Sequence, residues 1–305
     1  MGEPRSGRPA DRRLIVNPVS GEADHVETVH RLAALHQFPV VETERSGHAV
    51  DLAKQAAAEG VDMLAVCGGD GTVHEVIQGL FAVDALDTVT LCVVPAGTEN
   101  IIAEDLGIDG LGEGFEVATG GERRRLDLGV ANDEPFVMSA VAGLPAEVSD
   151  ATTGGLKQRF GSAAFLIGGL KAGQTFDGLD VTVDARGGGD EVVWTDEALA
   201  VVVGNLRRFG TAGGHANAED GLLDVEIIEQ MPGTALRDAI EGRLLGRECS
   251  HIRTFETTRL GIDSLVSEPI RFSLDGEIRT FETVQFGIVP QALTVRVGSA
   301  YTPVP

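Results

Sequence analysis

The residues best suited to chemistry in this 305-residue chain form the segment Gly68-Gly69-Asp70-Gly71-Thr72. The apolar residues 63–67 come directly before it, and apolar positions recur with helical spacing over residues 73–80. This order predicts a buried strand, a tight turn and a helix, which bring backbone N–H groups and a positive helix end to one point. Glycines let the backbone approach a ligand without a Cβ in the way. The segment therefore predicts a phosphate site for a nucleotide.

Two carboxylates in or near this segment allow different interpretations. Asp70 lies where a carboxylate could hold phosphate-bound Mg2+. A purely structural alternative is a turn followed by a capping box, with Thr72 as the N-cap and Glu75 reaching back from the third helical position. The segment matches neither standard phosphate loop, because it lacks both the G-x-x-x-x-G-K-[ST] lysine and the G-x-G-x-x-G spacing.

Polar turns follow two more apolar runs. Residues 14–16 lead into Asn17-Pro18-Val19-Ser20-Gly21, and residues 91–94 lead into Pro95-Ala96-Gly97-Thr98-Glu99-Asn100. Because the carboxyl ends of parallel strands lie at one edge of a sheet, we expect the three turns to meet and bind a ligand there. Each turn alone is also typical of an ordinary chain reversal.

In this order, the three turns resemble the catalytic domain of the diacylglycerol kinase family, which includes sphingosine and ceramide kinases and soluble bacterial lipid kinases. Comparable blocks continue downstream, so that the resemblance covers nearly the whole chain. They are Arg125-Leu126-Asp127-Leu128-Gly129, residues 201–205, Asp220-Gly221-Leu222-Leu223-Asp224 and Asp275-Gly276-Glu277. The resemblance implies a kinase that transfers the γ-phosphoryl group of ATP to a lipid hydroxyl.

The resemblance also implies roles for individual residues. Glu277 would be the general base for the lipid hydroxyl, Asp70 would orient phosphate and metal, and Asp127 would support the catalytic network. A further Mg2+ would be held by the Asp220 side chain with the backbone carbonyls of Asn217 and Leu222. The implied nucleotide-binding residues are Asn17, Pro18, Ser20, Gly21, Thr43, Gly68, Gly69, Asp70, Gly71, Thr72, Glu75, Thr98 and Asn100.

Two of these blocks contain Asp-Gly pairs that also fit simple hairpin turns, at residues 220–221 and 275–276. Before the second pair, apolar residues alternate over residues 270–274, so Glu277 would be the first residue of the return strand. Magnesium is the expected metal because ATP phosphates require it. Zinc is not expected, since the sequence has neither a Cys/His cluster nor an H-E-x-x-H motif.

The sequence departs from the family pattern at two places. His74 stands where asparagine often follows the GGDGT block, and Ile101-Ile102-Ala103 stands where many bacterial members have Asp-Phe-Ala. One carboxylate of the family's metal and water network is therefore absent from its usual position. These departures motivate one alternative, a nucleotide-binding sensor without catalysis, against which the intact Glu277 argues.

A second alternative is an NAD kinase, because that family shares a GGDGT block and a related nucleotide fold. Its Asn-Asn-Glu signature after the GGDGT helix does not occur here, and the block ending in Glu277 would have no role. The lipid kinase interpretation accounts for more of the sequence.

Length and patterning predict two domains. Residues 1–130 alternate short strands with helical stretches at 49–58 and 73–81, which is typical of an α/β domain with a mostly parallel sheet. Residues 131–289 predict a mainly β sandwich with glycine-rich turns. Its strands are expected at 136–140, 180–184, 198–203, 223–228 and 270–274, with one helical stretch at 160–170. The strand at 293–297 could return, with residues 290–305, to the first domain. The resemblance implies that the first domain binds the nucleotide and that the second binds the lipid.

The net charge of −23, from 47 acidic and 24 basic residues, argues against a nucleic-acid partner. The 43% hydrophobic content argues for a folded chain. A surface with only three lysines, at Lys54, Lys157 and Lys171, favours adaptation to high salt, where charge repulsion is screened.

Cys67, Cys92 and Cys249 are odd in number, and the first two lie in apolar runs, which favours a reducing compartment. The sequence has no apolar run of transmembrane length, and its first 13 residues are too polar for a signal peptide. A cytoplasmic enzyme is expected, associated peripherally with the membrane that presents its lipid substrate. A homodimer is left open.

Overall fold

The computed structural model describes residues 11–21, 25–143, 178–189, 191–207, 216–232, 235 and 249–303. The helical stretch predicted at 160–170 lies outside these residues. The chain divides into two compact units, one comprising Met1–Leu126 with Gln291–Thr302 and the other comprising Asp127–Pro290 with Pro303–Pro305.

The first unit is an α/β structure with parallel strands. Its strands are β1 (Arg12–Val16), β2 (Val40–Glu42), β3 (Met63–Gly68) and β4 (Thr90–Pro95). Its helices are α1 (Val26–His36), α2 (His48–Ala58), α3 (Asp70–Phe81), α4 (Ile101–Asp105) and α5 (Gly110–Gly120). The sheet order is β4-β3-β1-β2, with every pairing parallel. The predicted α/β class is confirmed.

Burial explains why this sheet forms. Every residue of β3 and β4 is buried, as expected for parallel strands that helices cover on both faces. Helices α2 and α3 pack closely at Gly79, where a Cβ would lie 2.5 Å from the carbonyl oxygen of Val50. The buried strands and the closely packed helices therefore hold the strand ends, and the turns that follow them, in fixed positions.

The second unit is built from antiparallel strands, which confirms the predicted β-rich class. They are β5 (Glu122–Ala131, from Asp127 onward), β6 (Glu134–Phe136), β7 (Ser139–Gly143), β8 (Leu179–Arg186), β9 (Val192–Gly204), β10 (Leu223–Glu229), β11 (Ile252–Thr257), β12 (Arg259–Ser264), β13 (Ile270–Leu274), β14 (Glu277–Phe281) and β15 (Thr283–Val297, as far as Pro290). Their apolar core includes an aromatic cluster in which the Phe272 ring centroid lies 5.3 Å from that of Phe286. From Gln291 onward, β15 belongs to the first unit, where Val295 pairs in parallel with Leu91 of β4.

The structure differs from the predicted strands at residues 136–140. Strand β6 ends at Phe136 and β7 begins at Ser139, so the predicted single strand is interrupted. The physical reason is that the backbone N–H groups of Val137 and Met138 donate to the carboxylate of Asp275. This carboxylate, from a distant turn, takes the place of a strand partner.

The two Asp-Gly pairs have different structures. Asp275 and Gly276, with φ of 49° and 96°, form the predicted hairpin turn, and Leu274 pairs with Glu277 across it. The hairpin interpretation of residues 220–221 is wrong, because β9 ends at Gly204 and its antiparallel partner β10 begins only at Leu223. Residues 220–221 lie instead in the long connection between these strands.

Within the described ranges, the helices are all too short or too polar to cross a membrane.

Candidate functional site

The three predicted turns of the first unit line one pocket of about 480 Å³, a size typical of small-molecule sites. Each turn follows a parallel strand, and residues after β2 complete the wall. The lining residues are Asn17, Val19, Ser20, Gly21, Thr43, Glu44, Arg45, Ser46, Gly69, Gly71, Thr72, Glu75, Gly97 and Thr98. The predicted residues Pro18, Gly68, Asp70 and Asn100 are not among them.

Glycines allow the three turns to touch. A Cβ on Gly97 would lie 2.4 Å from the Cα of Gly69, and one on Gly21 would lie 2.5 Å from the carbonyl oxygen of Ala96. Gly21 also has a φ of +55°, which side chains rarely adopt. Any larger residue would force the turns apart and change the shape of the pocket.

Two asparagines fix the conformations of the outer turns. The Asn17 side-chain amide donates to Thr72 Oγ1 at 3.0 Å, which joins the turn after β1 to helix α3. Asn100 accepts from the N–H of Gly97 at 2.7 Å and donates to its carbonyl at 2.9 Å. Asn100 therefore stabilises the turn that contains the lining residue Gly97, although it does not line the pocket itself.

Asp70 holds the turn after β4 through the start of helix α4. Its Oδ2 accepts from the N–H of Ile101 at 3.0 Å, and its Oδ1 accepts from the N–H of Ile102 at 2.9 Å. A carboxylate satisfies helix N-terminal donors that have no partner within the helix. A carboxylate has about four acceptor sites, so these two hydrogen bonds are compatible with the predicted role toward metal and phosphate.

Glu75 supports a different helix, and the capping-box interpretation is wrong. Helix α3 begins at Asp70 with Gly69 as its N-cap, so Thr72 already lies within the first turn. The Glu75 carboxylate accepts from the N–H of Gly47 at 2.9 Å and from that of Ala49 at 3.2 Å, at the start of α2. It thereby positions the segment after β2 against the pocket.

That segment contains lining residues that the sequence analysis missed, including Glu44, Arg45 and Ser46. Arg45 supplies the only Lys or Arg side chain among the described lining residues, and its guanidinium pairs with Asp51 at 2.7 Å. Both side chains are more than half exposed. The strand-end rule could have identified this segment, but β2 is only three residues long and gives little periodic signal.

In the second unit, Asp127 organises the loop that contains the predicted metal ligands. Its side chain is fully buried, and Oδ2 accepts from the N–H of Gly221 at 2.7 Å. Its own N–H donates to the carbonyl of Ala218 at 2.7 Å. The structure thus brings Asp127 together with the loop of Asn217, Asp220 and Leu222.

The surroundings of Asp220 suit a cation. Burial raises the pKa of its carboxyl, and the carboxylates of Asp224, Asp127 and Glu256 add to this, whereas the hydrogen bond from the Leu222 N–H opposes it. A cation would offset both the burial of the carboxylate and the repulsion from the neighbouring carboxylates. A carboxylate with two carbonyl oxygens is a donor set that Mg2+ accepts. In the described part of the chain, no group of three or more His, Cys, Asp or Glu side chains forms a metal site, so backbone carbonyls would be required.

Glu277 begins strand β14, as predicted, directly after the hairpin turn. Its carboxylate pairs with Arg279 at 2.7 Å, and both side chains are 31% exposed. Arg279 also lies 3.6 Å from the carboxylate of Glu134. Glu277 is therefore a half-buried carboxylate whose direction is set by a neighbouring cation.

Comparisons with known proteins agree with this architecture. Residues 11–131 match the diacylglycerol kinase catalytic domain, and residues 138–297 match the YegS C-terminal NAD kinase beta sandwich-like domain. A probable lipid kinase YegS-like protein of Pseudomonas aeruginosa is 31% identical, with 84% of this chain and 83% of that protein covered. The diacylglycerol kinase of Bacillus subtilis is 26% identical, with 87% and 89% covered.

The fold comparison gives the same result. A crystal structure of a diacylglycerol kinase from Bacillus anthracis superposes with a TM-score of 0.72 at 22% identity, with 96% of this chain and 98% of that chain covered. The fold of both units thus has a counterpart in that structure. This chain belongs to the diacylglycerol kinase catalytic-domain family.

Proposed function

We propose that the protein is an ATP- and Mg2+-dependent lipid kinase that phosphorylates a lipid hydroxyl. The observation that carries this proposal is the meeting of three glycine-containing strand-end turns around one pocket in a member of the diacylglycerol kinase family. Parallel strand ends and the start of helix α3 supply the polar groups and positive helix end that suit a polyphosphate.

In this proposal, the first unit holds ATP. Three hydroxyl-bearing residues, Ser20, Thr72 and Thr98, line the pocket together with Gly69 and Gly71. Asp70 and Glu75 contribute by fixing the starts of α4 and α2, which hold two of the pocket walls. Thr43 lies beside them in the segment after β2.

The negative charge in and around the pocket explains why ATP binding would require cations. The pocket includes Glu44 and Glu75, and the whole chain carries −23, so ATP would enter against repulsion. Arg45 is placed to offset part of the phosphate charge. Mg2+ bound with ATP would neutralise charge on the phosphates and would support in-line transfer of the γ-phosphoryl group.

The second unit supplies the groups for the acceptor. Glu277 accepts the proton of the lipid hydroxyl, the lipid oxygen bonds to the γ-phosphorus, and the bond to the β–γ bridging oxygen breaks, which releases ADP. Asp127 supports the loop in which Asp220 and the carbonyls of Asn217 and Leu222 would hold a structural Mg2+. The chemistry at Asp220 therefore stabilises the unit rather than the transferred phosphoryl group.

Diacylglycerol is the first lipid to test, because the Bacillus subtilis relative bears the name diacylglycerol kinase. We infer a cytoplasmic enzyme that reaches this substrate by peripheral association with the membrane surface.

The test is to incubate the purified protein with γ-labelled ATP, Mg2+ and either diacylglycerol or a total lipid extract in molar salt. The expected product is a labelled phospholipid that is absent when Mg2+ is chelated. A parallel reaction with NAD provides the comparison. Label on NAD, or ATP binding without transfer to any lipid, would overturn the proposal.

A further inference from the structure

The turn before Glu277 contains an acidic residue in an unusual conformation. Asp275 and Gly276 are the central residues of a two-residue hairpin turn between β13 and β14, and both have positive φ, at 49° and 96°. Such turns favour Asn, Asp or Gly, so turn geometry alone does not require a carboxylate here.

The Asp275 carboxylate is buried and accepts three hydrogen bonds. Oδ2 accepts from the N–H of Val137 at 2.7 Å, and Oδ1 accepts from those of Met138 at 2.8 Å and Ser139 at 3.0 Å. The Asp275 N–H donates in return to the carbonyl of Ser139 at 3.0 Å. Burying a carboxylate is costly unless such donors compensate it, so the site is built for a charge rather than merely tolerating one.

The segment that donates to Asp275 is itself held by Asn205. The Asn205 N–H donates to the Met138 carbonyl at 2.9 Å, and its side-chain amide donates to the carbonyls of Val137 at 2.8 Å and Asp127 at 3.0 Å. One hydrogen-bonded path therefore runs within the second unit from Asp127 through Asn205 to the Asp275 turn.

The hairpin needs such an anchor, because β14 lies at the end of the strand order. Among the described strands, it pairs with β13 alone. An edge strand held from one side can shift or fray more easily than an internal strand. Glu277 is the residue of β14 nearest the anchored turn.

We propose that Asp275 is a positioning residue that holds the hairpin so that Glu277 keeps its catalytic direction. This inference rests on the proposed function, in which Glu277 is the base. Asp275 does not touch the substrate. It acts through Glu277 by tying the turn to residues 137–139, which Asn205 connects to Asp127.

The test compares the variants D275N, E277Q and D275N/E277Q in the lipid kinase assay. Asparagine keeps the left-handed turn and the side-chain size but replaces one acceptor oxygen with a donor, so the three N–H groups cannot all be satisfied. We expect D275N to lower kcat by about 10- to 100-fold with the Kd for ATP within about twofold of wild type. We expect the double variant to be no slower than E277Q, because a positioning effect disappears with the group it positions.

The matched control is D133N. Asp133 is an exposed residue of another two-residue turn in the same unit, between β5 and β6, where Ala131 pairs with Glu134. The variant removes the same charge from another two-residue turn of this unit and should leave kcat unchanged. A loss equal to that of D275N would show a general charge effect and overturn the proposal.

Further outcomes separate this inference from the proposed function. If the kcat of E277Q equals that of wild type, Glu277 is not the general base. If E277Q is slow but the kcat of D275N equals that of wild type, only the positioning role of Asp275 is overturned. Multiplied losses in the double variant would also overturn it, since Asp275 would then act independently. Should D275N not fold, D275G is measured by the same criteria, because glycine accepts the turn and lets water reach the N–H groups. Failure of both to fold would assign Asp275 to stability alone.

Discussion

The backbone N–H of Ile101 donates to the carboxylate of Asp70 at 3.0 Å. The contact uses the backbone of residue 101 and is therefore independent of its side chain. This geometry shows how the start of α4 is held against the GGDGT turn with isoleucine at position 101. Asp70 thus has a structural partner as well as its proposed role toward Mg2+ and phosphate.

Replacing Asp70 with asparagine should lower activity strongly. Asparagine offers one acceptor oxygen where the carboxylate serves the N–H groups of both Ile101 and Ile102, and it carries no charge for a metal. We expect D70N to lose more than about tenfold in kcat/KM while its circular dichroism spectrum stays unchanged. The control is D87N, an exposed residue of the same unit, which should behave as wild type. Normal turnover in a folded D70N would reduce Asp70 to a turn residue.

Arg45 should contribute to ATP affinity. Arg45 lines the pocket, and a charge-assisted hydrogen bond to phosphate is typically worth a factor of about ten in affinity. We expect R45A to raise the Kd of a non-hydrolysable ATP analogue about tenfold in calorimetric titration, with R45K intermediate. R31A, an exposed arginine on α1, is the control.

The ion-pair partner of Arg45 gives a test of opposite sign. Asp51 holds the guanidinium at 2.7 Å, so D51N releases it without removing it. ATP should then bind as tightly as to wild type or more tightly. Equal weakening by R45A and D51N would mean that the ion pair shapes the segment after β2 and that Arg45 does not bind phosphate.

Two of the cysteines should be unreactive. Burial raises the pKa of Cys67 and of Cys92 to about 12, because the apolar surroundings disfavour the thiolate. At about pH 8, both therefore remain thiols, and the thiolate is the reactive form. A disulfide-exchange reagent should titrate one group in the native protein, the half-buried Cys249, and all three cysteines in denaturant. Fast reaction of three groups in the native protein would show that the strands open readily.

The acidic composition predicts dependence on salt. Lowering the salt from about 1 M to about 0.1 M lengthens the Debye screening distance from about 3 Å to about 10 Å, so repulsion within a chain of net charge −23 should grow. We expect a lower melting temperature and lower activity in 0.1 M salt. Equal thermal stability at both concentrations would argue against adaptation to high salt.

Local pattern was sufficient to predict the strand-end turns. The apolar run before Gly68 and the helical spacing after Thr72 place a turn between a buried strand and a helix, and the parallel-sheet rule brings such turns together. The hairpin at Asp275 followed in the same way from alternating residues and turn preference. These features depend on neighbours in the sequence, which is why pattern alone identified them.

Contacts between distant residues could not be predicted in this way. Asp70 and Glu75 hold the starts of α4 and α2, and the Asp275 carboxylate interrupts the strand predicted at 136–140. In each case, an acidic side chain meets backbone N–H groups more than 25 positions away in the sequence. No spacing rule specifies such a pairing, because it depends on how the elements pack.

The most direct test of the central claim is the turnover of E277Q. Glutamine keeps the size and hydrogen bonding of Glu277 but cannot accept the lipid hydroxyl proton, and a general base typically contributes about 10²- to 10⁴-fold in rate. The account predicts a fall in kcat of that size, with the Kd for ATP nearly unchanged. A kcat within about twofold of wild type would contradict it.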